Sequence, residues 1–227
     1  MTPETAIARL RAEADPALAA QSAAYHKTTR EVLGLRVPRI TELATEWRQG
    51  MDIPARVALA DALWRADIHE SRIAAAKLLT QARIRPDDGA WRLIAAWVPQ
   101  FDGWALADHA SDAGARRLIA DPARLDEVEG WTAAPHVWSR RAALVMTLPW
   151  ARMNNLKPAD RAIRARVLGW AAGYAADPDP VVQKAVAWWL RDLSKHDADA
   201  TRNFLETHGA AMKPFARHEA SRHLPAT

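Results

Sequence analysis

The chain has 227 residues, with 31 Lys and Arg against 27 Asp and Glu, a formal net charge of +4, and 49% hydrophobic residues. That composition supports a substantial core and excludes wholesale disorder. Cysteine is absent, which removes disulfides, thiol nucleophiles and thiolate metal sites, and no apolar run reaches transmembrane length. The opening MTPETAIARLRAEA is amphipathic and charged, unlike a secretory leader, so the cytoplasm, with the nucleoid as working place, is the expected compartment. Charge is unevenly spread. From His136 onward there are 14 Lys and Arg against 8 Asp and Glu, whereas the residues before it hold 17 against 19. A basic C-terminal part is a weak pointer to a polyanionic partner such as nucleic acid.

In chain order, the sequence reads as helices throughout. Alternating segments and hairpin glycines are missing, while helix signals recur about every 12 to 20 residues. Thr2-Pro3-Glu4 and Asp15-Pro16 pair an N-cap with a first-turn proline, and Pro38, Pro54, Pro86, Pro122, Pro135, Pro158 and Pro180 punctuate the rest. The expected helices run at roughly 3–14, 16–33, 38–49, 54–66, 69–84, 88–99, 103–120, 122–130, 136–152, 158–176, 179–195, 198–208 and 211–223. Paired lengths of this kind match the period of HEAT-type units, although no clean self-similarity is visible. The expected architecture is all-α: a right-handed superhelical stack of antiparallel helix pairs, an α-solenoid forming one domain over 1–227 with a concave basic face. A closed all-α globule is the alternative; the stack is favoured because no segment is apolar all round.

Eleven tryptophans against two tyrosines and three phenylalanines is an unusual split. An alanine-rich core plugged by indoles accounts for Trp47, Trp64, Trp91, Trp97, Trp150, Trp170 and Trp189. Three stretches hold candidates for other roles. In Phe101–Asp108, Trp104 and Asp108 are four apart, which places an indole and a carboxylate one turn apart on one helix face. Half-buried packing and a solvated acid are the bland reading of that pair; Asp102 reads as an N-cap or turn residue. In His136–Leu144, Arg141 shares a stripe with Val137, Leu144 and Leu148. It is either an arginine whose stem covers apolar surface or one held to clamp a phosphate. In Val181–Lys195, Val182, Val186, Trp189, Leu190 and Leu193 form a core stripe, while Lys184, Trp188, Arg191 and Lys195 form a second, basic stripe containing an indole. That second stripe suits an anionic, flat partner. The histidines give no three-ligand spacing; His218-Glu219 with His223 invites a glance and reads as surface. No metal site, phosphate-cradling glycine loop or nucleophile elbow is expected.

Together these stretches resemble the DNA alkylation repair family of AlkD-type DNA glycosylases, from about Tyr25 to His223. The family's Trp four residues before an Asp matches Trp104 and Asp108. Its W-x-x-R-A-A helix opening matches Trp138 to Ala143 and places a DNA-contacting arginine on Arg141. Its Q-K-A-x-x-W-x-x-R helix matches Gln183 to Arg191, placing an active-site indole on Trp188 and another DNA-contacting arginine on Arg191. Its Y-x-K followed by L-G-L-x-x-P matches Tyr25, Lys27 and Leu33 to Pro38. The chain departs from the family at Arg36-Val37, at Pro149-Trp150, and at Gly103, where family members often carry a second tryptophan.

The resemblance implies excision of cationic N-alkylated purines, such as N3-methyladenine and N7-methylguanine, from duplex DNA. It implies no metal or organic cofactor and no deep base flipping. Asp108, Trp104 and Trp188 would form the catalytic set, with Arg141, Arg191, Lys184, Lys195, Tyr25 and Lys27 binding DNA in a monomer that needs no membrane. Two other readings stand beside it: a catalytically inactive HEAT-repeat relative that binds structured DNA or RNA, and a HEAT-type protein-interaction scaffold. The basic stripe around Trp188 argues against the scaffold.

Overall fold

A computed structural model describes residues 1–224; the end of the expected domain, 225–227, lies outside the described residues. Fourteen α-helices and three short 3-10 helices make up the regular structure, and no strand is present among the described residues. No described helix is long and apolar enough to cross a membrane. The chain forms two compact units, Met1–Ala120 and Asp121–Thr227.

The first unit contains α1 (Pro3–Ala12), α2 (Pro16–His26), α3 (Val37–Trp47), α4 (Ile53–Arg65), α5 (His69–Leu79), α6 (Asp88–Trp97) and α7 (Trp104–Ala120). The expected punctuation is visible in the caps. Thr2, Asp15 and Asp52 each accept a backbone N–H at a helix start, and a proline follows each within the first turn. α5 packs against α3, α4 and α7. Every residue of it except Lys77 is buried, although HESRIAAAKLL reads as half polar. Its polar groups are absorbed locally. Ser71 donates to the Ile68 carbonyl at 2.8 Å, Arg72 donates to the Trp64 carbonyl at 3.1 Å, and Glu70 receives the N–H groups of Leu33, Gly34 and Leu35 at 2.9, 2.7 and 3.3 Å. The core is completed by Trp64 and Trp97, stacked with centroids 4.3 Å apart.

α2 is much shorter than the expected 16–33. It ends at His26 because Lys27 turns left-handed, with φ +51. The chain then runs irregularly past Glu31, which forms an isolated bridge with Ile68, to Gly34. There φ is +85, and a Cβ would lie 2.3 Å from the Asp15 carbonyl oxygen, so only glycine fits. The Leu-Gly-Leu stretch is therefore a backbone loop clamped by Glu70, and no part of it is helical. α5 likewise stops at Leu79, short of 84. Beyond it, buried Arg117 of α7 donates to the carbonyls of Gln81, Ala82 and Ile84 and fixes that connection.

The second unit contains α8 (Leu125–Thr132), α9 (Val137–Val145), α10 (Leu148–Arg152), α11 (Pro158–Gly173), α12 (Pro180–Ser194), α13 (Ala198–His208) and α14 (Pro214–Ser221). The expected helix 136–152 is two helices. Thr147 returns its hydroxyl to the Ala143 and Leu144 carbonyls, and Pro149 supplies no N–H to continue the ladder. Residues 122–124 are a 3-10 turn and α8 follows it, a shift from the expected 122–130. α12 is the centre of this unit, packed against α9, α10, α13 and α14. Gln183 of α12 is fully buried; its amide donates to the Tyr174, Ala175 and Asp177 carbonyls and accepts from the Lys213 N–H. The seven tryptophans assigned to the core are all buried.

Candidate functional site

In the first unit the candidate residues gather where α2 ends and α7 begins. Trp104 is the first residue of α7 and is 44% exposed, in contrast to the buried indoles. Asp108, one turn on, is partly exposed. The Trp104 ring lies 5.9 Å from Tyr25, edge-on at 85°, and 4.9 Å from His26, tilted at 46°. Tyr25 is itself 70% exposed, and Lys27 beside it is exposed. Tyr25 and Trp104, far apart in sequence, are thus neighbours. Asp102 does not cap α7: Gly103 separates it from the helix, and its carboxylate pairs with Arg30 at 2.9 Å. Arg30 also binds Asp67, which in turn binds Arg72 at 2.8 Å, so the turn before Trp104 is tied to the start of α5 by a chain of ions.

Beside Trp104 sits a group of histidines that no spacing in the sequence connects. His26 lies 4.7 Å from His69, tilted at 33°, and His69 is the buried first residue of α5. His109 borders the same cavity of about 310 Å³ as His26, His69 and Trp104. Burial lowers the pKa of all three; Glu70 opposes this weakly at His26 and His69. At His109 burial, with Lys77 adding to it, pushes the pKa down to about 4. The three rings are therefore neutral at pH 7 and add no charge to the surface that carries Trp104, Asp108 and Lys27.

In the second unit the residues gather on the face of α12 away from its core stripe. Trp189 is completely buried while Trp188, next to it, is half-buried and borders a groove of about 630 Å³. Lys184 and Arg191, one turn to either side, line the same groove. Arg141 of α9 is 7% exposed; its Nη1 donates to the Val181 carbonyl at 3.2 Å, and its guanidinium stands 5.9 Å over the Trp188 ring. Arg141 is thus held against α12 and borders the groove. Lys195 pairs with Asp192 at 3.9 Å and does not line the groove.

The opposite wall comes from α14, which sequence reasoning left as surface. Phe215, 42% exposed, and His218 border the groove, and Glu219 pairs with Arg191. The only sequence signal was the four-residue spacing of Phe215 and Glu219 behind Pro214. Among the described residues no group of three or more His, Asp and Glu is arranged to hold a metal ion. The expected set thus divides in two: Tyr25, Lys27, Trp104 and Asp108 in the first unit, Arg141, Lys184, Trp188, Arg191 and, outside the groove, Lys195 in the second.

A family model described as DNA alkylation repair enzyme matches residues 6–224. Among solved structures, a predicted DNA alkylation repair enzyme from Enterococcus faecalis superposes with a TM-score of 0.79 at 20% identity, over 94% of this chain and 98% of that one. The smu.31 protein of Streptococcus mutans gives 0.65 at 18% identity, over 83% and 93%. AlkD2 of Streptococcus mutans gives 0.63 at 18% identity, over 85% and 92%. At these identities the likeness carries the fold. None of the curated proteins matches the chain by sequence.

Proposed function

Since the chain belongs to the DNA alkylation repair enzyme family, we propose that it is a DNA glycosylase that releases cationic N-alkylated purines, N3-methyladenine and N7-methylguanine among them, from duplex DNA. The observation that carries this reading is Trp104, an exposed indole at a helix start, one turn from Asp108 and edge-on to the exposed Tyr25. A soluble core has no use for such a surface, whereas a cation on a deoxyribose does.

The chemistry suits those groups. Cleavage breaks the C1′–N bond, the electron pair leaves with the base, and positive charge moves to the sugar as an oxocarbenium-like state. The departing base becomes neutral, so no general acid is required. Asp108 stabilises the positive sugar and orients the water that attacks C1′, accepting a hydrogen bond as that water loses its proton. The indole face of Trp104 attracts the cation by about 0.5–2 kcal/mol, and Trp188, in the second unit, offers an aromatic face to the DNA. Arg141, Arg191 and Lys184 hold backbone phosphates and set the register, with Lys195, Tyr25 and Lys27 adding contact. The base stays in the stack throughout, and the protein acts as a cytoplasmic monomer on the chromosome.

The test is release of modified bases from methylated duplex DNA by wild type and Asp108→Asn. The substitution should lower release by roughly 10²–10³-fold, the effect of removing one electrostatic group from a transition state, with DNA affinity nearly unchanged. Wild-type release in Asp108→Asn ends the mechanism. Tight, salt-dependent binding with no release by wild type favours an inactive DNA-binding relative instead.

A further inference from the structure

The proposed reaction makes use of the outer face of Trp104. His26 lies against Trp104 at 4.9 Å and 46°, His69 lies against His26 at 4.7 Å and 33°, and this pair of imidazoles has an unusual feature. Among the described residues, the Nδ1 atoms of both imidazoles are buried without a hydrogen-bond partner. A neutral imidazole tolerates this, because an unprotonated Nδ1 leaves only a lone pair unmet. An imidazolium does not, because both nitrogens then carry N–H donors that must be satisfied. The geometry thus accommodates the uncharged ring and rejects the charged one.

The surrounding charges leave that preference in place. Glu70 of α5 is the carboxylate that acts on both rings, but its oxygens are already committed to the Leu33, Gly34 and Leu35 amides. Asp102, before α7, is held by Arg30, and both act on His69 with opposite sign. Lys77 of α5 opposes protonation of His109, which follows Asp108 on α7. Lys27, next to His26, is a further cation at the end of α2.

We infer that His26 is a positioning residue for Trp104: seated as an uncharged ring on His69, it fixes the orientation of the indole and keeps positive charge away from the side of the ring opposite the substrate. The inference rests on the glycosylase reading for its kinetic consequence, since a cationic lesion and a positive sugar are both repelled by an imidazolium beneath the same indole. It does not rest on that reading for its structural consequence. Protonation of His26 puts an unmet donor into the bed and moves Trp104 whether or not DNA is present.

Two readouts test it. The first is single-turnover release of N7-methylguanine between pH 8 and pH 5 by wild type, His26→Ala and His26→Phe. Loss of the ring should slow release at pH 8 by up to roughly 30-fold, no more than loss of the indole that it positions. Phenylalanine, a ring that cannot take a proton, should restore most of the rate, and its decline with acid should begin at lower pH than that of wild type. The second is the Trp104 indole N–H resonance of the DNA-free protein, assigned with Trp104→Phe. It should shift along the His26 titration in wild type, be displaced in His26→Ala, and lose the pH response in His26→Phe. Equal rates and pH profiles in all three proteins, with an indole signal indifferent to His26, overturn the inference. If wild type releases no base, the glycosylase reading falls by itself, and the indole titration decides the positioning role alone.

Discussion

The two units present an indole to solvent in opposite electrostatic settings. Trp104 stands beside neutral imidazoles and Tyr25, with the Asp108 carboxylate one turn along α7, while the ions of the turn before it are tied together in the Arg30–Asp102–Asp67–Arg72 chain. Trp188 lies under a guanidinium, in a groove with Lys184 and Arg191 on its walls. An aromatic surface with a carboxylate beside it suits the transient positive charge of a reacting sugar. A cationic groove suits the permanent negative charge of a phosphate backbone. Under the proposed function the first setting carries the chemistry and the second the grip, and each substitution below should fail in the manner of its own region.

The largest effect is expected at the adjacent indoles of α12. Trp189→Ala should cost about 3–5 kcal/mol in denaturant unfolding, as for other fully buried aromatic truncations. Trp188→Ala should cost no more than ~1–2 kcal/mol of stability, in keeping with its partial burial, and its main effect should be on DNA.

Next comes the histidine bed. His109 is neutral in the folded protein down to about pH 4 but ordinary when unfolded. The unfolded state therefore binds the proton first as pH falls. Stability is fully present above pH 6.5 and is lost between there and pH 4, by on the order of 3 kcal/mol from this residue. His109→Gln should flatten that acid slope in melts recorded across the window.

Smaller effects separate the two regions by kind. Trp104→Ala should slow base release up to roughly 30-fold, the upper range of one cation–π contact, and leave the salt dependence of binding unchanged. Lys184→Ala should do the reverse, reducing the slope of log affinity against log salt by about 1 with the saturated rate retained. Smallest of all, Glu219→Gln should release Arg191 and raise DNA affinity by a factor of up to ~5, the scale of a partly exposed ion pair.

The all-α class was legible because proline and capping residues mark helix starts locally: Thr2, Asp15, Asp52 and Asp179 do in the structure what their positions suggest. The two faces of α12 were legible because helical period alone separates Trp188 from Trp189. What stayed hidden depends on contacts distant in sequence. α2 was drawn too long because nothing local reveals that Glu70 waits to receive the amides of Leu33 to Leu35. α5 was not recognised as a central helix because its polar side chains are satisfied by backbone groups that only the fold supplies. The imidazole bed was hidden for the same reason: His26, His69 and His109 lie on three different helices. The departure at Pro149-Trp150 is structural, since Pro149 sits where the helix breaks and Trp150 is buried with its Nε1 donating to Asp160 at 3.1 Å.

The division of labour between the units is tested most directly by measuring saturated single-turnover release and DNA affinity together in Asp108→Asn and Arg191→Ala. Asp108→Asn should lose its rate by roughly 10²-fold or more at near wild-type affinity, and Arg191→Ala should lose affinity and salt dependence at near wild-type rate. Rate and affinity falling in step in both variants, or an Asp108→Asn protein that releases base as wild type does, would contradict it.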